Sequence, residues 1–162
     1  MQVRDLMTPI VRTVPPDMRL TELERFLLAT RLSGAPVVKD GALVGVVSRS
    51  DVVRQLVVER TQAEYAADAR FSGLASWHHL PDLEMTGWIS EAVAEHLEHV
   101  RVSDIMVTHV ITVAPDADIR DAARLMIDHH VHRVLVVEGT SVRGILSTTD
   151  LVRLVAETPA GT

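Results

Sequence analysis

The pattern of apolar and polar positions repeats itself along the chain with an offset of 99 residues, as between Asp51 and Asp150. Residues 3–56 align with residues 102–155 without a gap, and a match of this length is hard to assign to chance. Identical pairs include Asp5/Asp104, Met7/Met106, Thr13/Thr112, Val14/Val113, Pro16/Pro115, Gly45/Gly144, Ser48/Ser147, Asp51/Asp150 and Arg54/Arg153. The sequence therefore predicts three segments: repeat 1 (residues 1–60), an insert (61–100) and repeat 2 (101–158).

Within each repeat the pattern predicts the order β-α-β-β-α, an α/β (α+β) fold class. Residues 11–14 and 110–113 are short extended segments that end in a Pro-Asp turn. An amphipathic helix follows, with apolar residues at i, i+3, i+6 and i+7. These residues are Leu20, Leu23, Phe26 and Leu27 in repeat 1, and Ile119, Ala122, Leu125 and Met126 in repeat 2.

The second half of each repeat predicts two apolar strands in a hairpin and a closing helix. In repeat 1 the strands are residues 36–38 and 43–47, and the helix is residues 51–60. The matching segments of repeat 2 are residues 134–137, 142–146 and 150–157. The closing helix carries apolar residues in its first turns in both repeats.

The insert has no counterpart in the repeats, and it contains Tyr65, Phe71, Trp77 and Trp88. Its composition favours helix at residues 61–70 and 89–99, and irregular structure at residues 71–86. Bulky aromatic residues are unusual in a solvated linker, so we expect the insert to pack on the repeats or on a second subunit.

Each repeat passes from its last strand into its last helix through the motif Gly-x-x-Ser-x-x-Asp, residues 45–51 and 144–150. Such a junction predicts a hydroxyl at the helix N-cap and a carboxylate in the first turn. Free backbone N–H groups and the helix dipole can hold an anion there, and an Asp can accept hydrogen bonds from a ribose diol. The motif indicates a nucleotide site built twice.

Composition narrows the possible functions. The chain has no cysteine, which excludes disulfides and thiolate chemistry. Its net charge of −6, without a basic run, disfavours a nucleic-acid partner. No apolar stretch is long enough to span a bilayer and the first residues do not form a signal peptide, so we expect no membrane partner and a cytoplasmic location. Phosphate-loop, dinucleotide and nucleophile-elbow motifs are missing, and we expect no enzymatic activity.

The two repeats resemble a tandem pair of CBS domains, often called a Bateman module. The resemblance rests on Asp-hydrophobic-Met near the start of each repeat, Thr-Val before a Pro-Asp turn, and the Gly-x-x-Ser-x-x-Asp junction. It implies two pseudo-symmetric repeats whose three-stranded sheets face each other across a buried seam, with ligand clefts at the seam. It also implies a stand-alone sensor that binds AMP, ADP, ATP or S-adenosylmethionine as a regulatory ligand, with no required cofactor.

The resemblance further implies the residues that contact the nucleotide. One cleft would use Thr13, Val14, Ser48, Ser50 and Asp51. The other would use Thr112, Val113, Ser147, Thr149 and Asp150. His132 and Arg133 precede a strand, where such families often bind phosphate, while repeat 1 has Ser33 and Gly34 at those positions. Ligand binding would shift the population of conformations toward one arrangement of the repeats, and an effector protein would recognise that arrangement. A homodimer is the expected assembly.

Three alternatives stay open at this stage. The Ser and Asp of each junction can serve only as helix caps. The pair can be a ligand-free scaffold for homodimerisation and interaction. Less favoured is a metal sensor built from the histidines at residues 78–79, 96–99 and 129–132, since their spacing fits no common catalytic zinc motif and we expect no metal site.

Overall fold

A computed structural model describes residues 1–71 and 82–157, apart from the side chains of residues 68–71 and 82–86. A short 3-10 helix at Val3–Asp5 begins the chain. The elements that follow are α1 (Leu20–Thr30), β1 (Gly34–Lys39), β2 (Ala42–Ser48), α2 (Arg49–Phe71), α3 (Asp82–His99), α4 (Val102–Ile105), β3 (Thr112–Val113), α5 (Ile119–Asp128), β4 (Arg133–Glu138), β5 (Ser141–Ser147) and α6 (Thr148–Glu157).

The chain forms two compact units, and each unit takes residues from both repeats. Unit 1 contains Met1–Thr13, Pro36–Val46 and Val107–Thr162. Unit 2 contains Val14–Ala35 and Val47–Met106.

A three-stranded sheet in the order β3-β4-β5 organises unit 1. β3 runs parallel to β4, and β4 pairs antiparallel with β5. One face of the sheet packs on α5, as the alternation of side chains along a strand requires. The core residues are Val3, Ile119, Ala122, Met126, Val134, Val136 and Leu146. The predicted apolar face of the second-repeat helix is thus confirmed as core, with Leu125 partly buried beside it.

Helices dominate unit 2, in which α2 packs on α3 and both contact α1. Leu20, Leu23 and Leu27 of α1 are buried, which confirms the predicted apolar face. The α2 helix begins at the predicted junction but continues past residue 60 to Phe71. The insert therefore packs on a helix of repeat 1, because α3 belongs to the insert and lies against α1.

A short segment from the opposite repeat docks at the Pro-Asp turn in each unit. In unit 1 the amides of Val3 and Arg4 donate to the carbonyls of Ala117 and Pro115, both at 2.9 Å. In unit 2 the amides of Val102 and Ser103 donate to the carbonyls of Met18 and Pro16, at 2.9 and 2.8 Å. The two sets of contacts are equivalent by the 99-residue offset. The side chains of Val3 and Val102 are both 0% exposed.

Two sequence-based predictions are wrong in part. Residues 11–14 form no strand beyond a single bridge residue at Val14, and the sheet of repeat 1 contains only β1 and β2. Pro15 follows Val14, where repeat 2 has Ala114, and a proline lacks the N–H that a growing ladder needs. Residues 82–86 are helical rather than irregular, and Phe71 closes α2. The rest of the predicted irregular segment, residues 72–81, lies outside the described residues.

The hairpins are confirmed in both repeats. Asp40 and Gly41 connect β1 to β2 with φ values of 51° and 81°. Two consecutive positive φ angles are the signature of the type I′ turn, whose twist matches that of the strands it joins. In repeat 2 the turn uses Gly139, with φ 61°. A backbone bond from the amide of Leu43 to the carbonyl of Thr140, 2.8 Å long, joins the two hairpin ends within unit 1.

Candidate functional site

The strand-to-helix junction of repeat 2 forms a reciprocal capping box. The amide of Ser147 donates to Oδ2 of Asp150 at 2.8 Å, and its hydroxyl donates to the same oxygen at 2.5 Å. The Asp150 amide lies 3.4 Å from the hydroxyl oxygen of Ser147. Ser147 is therefore the N-cap of α6 and Asp150 its third residue. The predicted cap is confirmed, and it uses only one of the two carboxylate oxygens.

The junction of repeat 1 has the same box with one additional contact. Ser48 donates to Oδ2 of Asp51 from its amide at 2.9 Å and from its hydroxyl at 2.7 Å. Nη1 of Arg54 lies 3.2 Å from the other oxygen, Oδ1. The Asp51 side chain is 9% exposed, whereas that of Arg54 is 70% exposed. Both oxygens of Asp51 are thus already bonded within the protein.

Arg153 occupies the position equivalent to Arg54, yet it does not pair with Asp150. Across residues 1–71 and 82–157, no protein group bonds to Oδ1 of Asp150. Asp150 is also more accessible than Asp51, being half-buried rather than buried. The carboxylate of repeat 2 therefore has one oxygen with no protein partner among the described residues, whereas each oxygen of the repeat 1 carboxylate already accepts at least one hydrogen bond.

The sheet of unit 1 places three of the predicted residues on one face. Arg133 lies directly opposite Ser147 on the neighbouring strand, and Thr112 is paired with Leu135, two residues beyond Arg133. Because alternate residues share a face of a strand, the side chains of Thr112, Arg133 and Ser147 project to the same side. Val113 projects to the other side and packs on the core.

Arg133 supplies a cation beside the junction of repeat 2. Its side chain is exposed, and within the described part of the chain it has no ion pair or hydrogen bond. A guanidinium carries donors that match phosphate and carboxylate geometry. Arg133 therefore presents donors for an anion, and the free oxygen of Asp150 presents an acceptor for a hydroxyl, while both donors of Ser147 are used by Asp150.

Repeat 1 cannot hold the equivalent cation. Gly34 stands where repeat 2 has Arg133, and a Cβ added to Gly34 would lie 2.7 Å from the carbonyl oxygen of Val47. Real Cβ atoms do not approach backbone oxygen so closely, so a side chain there requires the strands to shift. The difference between the two junctions is therefore built into their strand packing.

The remaining predicted residues have varied surroundings. Val14 is 1% exposed in the core of unit 2, and Thr13 is exposed in unit 1. Ser50 and Thr149 are exposed at the second position of their helices. The His132 side chain is exposed, and its carbonyl accepts from the amide of Thr148 at 2.9 Å. Ser33 and Arg49 make the equivalent bond in repeat 1, at 3.0 Å.

Two of the described histidines, His96 and His99, make contacts on helices. His96 Nδ1 lies 2.9 Å from Oε2 of Glu59, and His99 Nδ1 lies 2.9 Å from the carbonyl of Glu95. Over residues 1–71 and 82–157, no cluster of three or more His, Asp or Glu side chains is arranged to hold a metal ion. His78 and His79, part of the metal-sensor alternative, lie outside the described residues.

The role of Arg54, which pairs with Asp51, was not predicted from the sequence. Its spacing from Asp51 is i, i+3, a distance at which helical side chains can meet. Arg153 has the same spacing from Asp150 and makes no such contact, so spacing does not distinguish the two. Only side-chain placement separates them.

Comparison with known families identifies the fold. A family model described as the CBS domain matches residues 3–58 and 102–157. The chain belongs to the CBS domain family. Its two matched segments make it a tandem CBS pair, as the sequence resemblance predicted, with the expected α+β fold. In the described residues, no helix is long and apolar enough to cross a membrane.

Relatives include this CBS pair both alone and within longer proteins. Uncharacterized protein MJ1426 of Methanocaldococcus jannaschii is 35% identical over 160 residues, which cover 94% of this chain and 89% of that protein. Zinc metalloprotease MJ0392 of the same organism is 28% identical over 152 residues. That match covers 94% of this chain but only 31% of the metalloprotease, so the CBS pair is a minor part of it.

Among solved structures, the similar CBS-pair protein CBSX2 has been determined in complex with AMP. It is 26% identical to this chain, with a TM-score of 0.65 and coverage of 96% of each chain. A structure of CBSX2 from Arabidopsis thaliana gives 24% identity, a TM-score of 0.65 and coverage of 96% and 94%.

Proposed function

We propose that this CBS pair is a regulatory sensor that binds one adenosine-containing ligand at the junction of repeat 2. The observation that carries the proposal is the free oxygen Oδ1 of Asp150, next to the unpaired guanidinium of Arg133. The carboxylate accepts hydrogen bonds from the ribose diol, and the guanidinium binds phosphate. The AMP complex of CBSX2 supports a ligand of this class.

The α6 N-terminus adds to the attraction for phosphate. Its dipole favours negative charge, and α6 is a full helix of ten residues, whereas the amides of Thr148 and Asp150 are already bonded to His132 and Ser147. Thr149 offers an exposed hydroxyl in this first turn, and Thr112 offers another on the same sheet face as Arg133. Thr112 and Val113 line the base in this proposal, with Val113 contributing its backbone because its side chain packs on the core.

The junction of repeat 1 binds the ligand weakly or not at all in this proposal. Its carboxylate is occupied by Arg54, and Gly34 provides no cation. Thr13, Val14, Ser48, Ser50 and Asp51 remain the residues that a second ligand would use. The proposal therefore predicts a stoichiometry of one nucleotide per chain.

No catalytic role is proposed, because CBS pairs act as regulatory modules and the junction carboxylates are held as caps. The metalloprotease relative does not change this, since the matched segment is less than a third of that protein. The ligand is instead proposed to shift the population of chain conformations that an effector protein binds. Phosphorylated nucleotides are favoured over S-adenosylmethionine, because a guanidinium pairs with phosphate.

Calorimetric titration of the full chain with AMP, ADP, ATP, S-adenosylmethionine and NADH tests the proposal. We expect saturable binding with one site per chain. Asp150→Asn should weaken it by at least about tenfold through loss of a charge-assisted hydrogen bond, and the matched variant Asp51→Asn should leave it unchanged. Arg133→Gln should weaken AMP but not adenosine. Absence of binding to protein shown free of carried-over nucleotide, or loss in Asp51→Asn alone, would overturn it.

A second candidate function is a homodimerisation scaffold, favoured by exposed valines on the closing helix of each repeat. On α2, Val53 and Val57 are 58% and 60% exposed, and on α6 Val152 and Val155 are 67% and 75% exposed. Their i, i+3 and i, i+4 spacings form an apolar stripe on each helix, and such surfaces mark protein interaction sites. Sedimentation of wild type, Val53→Glu and Val152→Glu tests it, since a charged stripe should yield monomers. If a dimer forms and no nucleotide changes its thermal stability, the scaffold replaces the sensor.

A further inference from the structure

A cavity of about 440 Å³ lies between α2 and α3 of unit 2, away from the junction of repeat 1. It is lined by Ala63 and Ala66 of α2 and by Ala92 of α3, of which Ala63 is buried, Ala92 half-buried and Ala66 exposed. Two packed helices normally fill the space between them, but these three methyl groups are too short to do so. The volume falls within the range of small-molecule pockets.

Trp88 gives the cavity one aromatic wall, and polar side chains surround its opening. Gln62, Glu95 and His96 line it and are exposed to solvent, whereas Ala63 is 7% exposed. The cavity thus has an apolar interior with hydrogen-bonding groups at the mouth. This arrangement suits a ligand with a flat apolar body and a polar head.

A buried carboxylate fixes the orientation of the histidine at the mouth. Glu59 is 8% exposed, and its two oxygens bond to Nδ1 of His96 at 2.9 Å and to Nε2 of Gln55 at 2.7 Å. A carboxylate only accepts, so the hydrogen between Glu59 and His96 is carried by Nδ1. The imidazole is therefore held in one orientation at the mouth of the cavity.

The described lining of the mouth carries a carboxylate, that of Glu95, and includes no Lys or Arg. The face of a tryptophan also attracts cations through its quadrupole. From these features we infer that the α2–α3 cavity binds a small organic ammonium compound, with its apolar body against Trp88 and its N–H groups toward Glu95. This site belongs to the insert and is independent of the proposed nucleotide site.

Benzylamine is a suitable probe, with benzyl alcohol and benzoate as neutral and anionic controls of the same shape. Binding to ¹⁵N-labelled full chain is followed at the indole N–H of Trp88, assigned by its loss in Trp88→Phe. We expect benzylamine to shift this signal saturably, benzyl alcohol to bind about tenfold more weakly for want of a charge-assisted bond, and benzoate not to bind. Asp150→Asn should bind benzylamine as wild type does, which separates this site from the nucleotide site.

Three variants locate the probe. Glu95→Gln should weaken benzylamine binding about tenfold, while Glu91→Gln, an exposed residue of α3 that does not line the cavity, should leave it unchanged. Ala92→Leu should abolish binding by filling the interior, and Ala66→Leu provides a second test from the opposite helix if Ala92→Leu unfolds. The inference is overturned if benzyl alcohol binds as tightly as benzylamine, if Glu95→Gln and Glu91→Gln behave alike, or if both cavity-filling variants still bind.

Discussion

Arg54 bonds to Oδ1 of Asp51 across a distance of 3.2 Å, and this contact makes the two junctions of the tandem repeat unequal. The equivalent Arg153 leaves Oδ1 of Asp150 available. The duplicated motif therefore forms a helix cap in both repeats, but only in repeat 2 does its Asp keep an oxygen without a protein partner among the described residues. The salt bridge itself adds little stability, because the guanidinium is largely exposed. The contact occupies a lone pair of Asp51 Oδ1 that would otherwise be open to a ribose hydroxyl.

Removing Arg54 should uncover adenosine binding at repeat 1. In the Asp150→Asn background, Arg54→Gln is expected to tighten the residual binding of adenosine about tenfold, since one charged acceptor is released. Calorimetric titration measures this change. Arg153→Gln in the same background is the control and should have no effect. An equal gain from both arginine variants would show that general charge, not the Asp51 contact, is responsible.

The capping boxes should contribute measurably to stability. Ser147→Ala removes the hydroxyl that donates to Asp150 and accepts from its amide, and should lower the free energy of unfolding by about 1 kcal/mol. Ser48→Ala should cost a similar amount. Thr149→Ala, at an exposed position one residue before Asp150, should change stability by less than about 0.5 kcal/mol. Urea unfolding followed by far-UV circular dichroism compares the three, and an equal loss in Thr149→Ala would contradict the assignment of the cap.

Gly144 should not tolerate a side chain, because the N-terminal segment passes over it. An added Cβ would lie 2.5 Å from Sδ of Met7 and 2.9 Å from the carbonyl oxygen of Thr8. Thr8 is fixed there by two backbone bonds to Ile145, of 2.9 and 3.0 Å. Gly144→Ala should destabilise the protein by about 1–3 kcal/mol and increase proteolysis near Thr8.

Substitution of Gly87 by alanine should have the opposite effect on stability from that of Gly144→Ala. It lies inside α3, and a Cβ there would meet no atom of another described element within 4 Å. Gly87→Ala should stabilise the protein by about 0.5–1 kcal/mol, since glycine has a higher entropic cost in a helix. Thermal unfolding distinguishes the two glycines. A loss of stability in Gly87→Ala would mean that another part of the chain packs closely on the helix at this point.

Val3 and Val102 each lie in a short segment that docks on the other repeat. Truncating either valine should therefore lower the stability of the unit that contains it. Val3→Ala and Val102→Ala each remove two methyl groups from a fully buried side chain and should cost about 2 kcal/mol. Ile127→Ala, on α5 with 71% of the residue exposed, should cost less than about 0.5 kcal/mol. Urea unfolding measures all three. Little change in Val3→Ala would show that the N-terminal 3-10 helix is not part of the core of unit 1.

The sequence alone determined the features that depend on neighbours along the chain. The period of the apolar residues predicts α1 and α5, the Asp40-Gly41 pair predicts a hairpin, and the Ser-x-x-Asp spacing predicts a cap at both junctions. Each depends on contacts within a few residues, so the pattern is sufficient. The 99-residue repeat and the CBS resemblance likewise follow from the sequence.

Features that depend on residues far apart along the chain follow only from the tertiary structure. The exchange of Val3 and Val102 between repeats, the loss of the strand before Pro15, and the α2–α3 cavity beside Trp88 arise from packing between distant segments. The difference between the contacts of Asp51 and those of Asp150 shows this most clearly. Both sit in the same motif with an arginine three residues later, yet the structure forms one salt bridge and not the other, because rotamer choice depends on surroundings that no local spacing encodes.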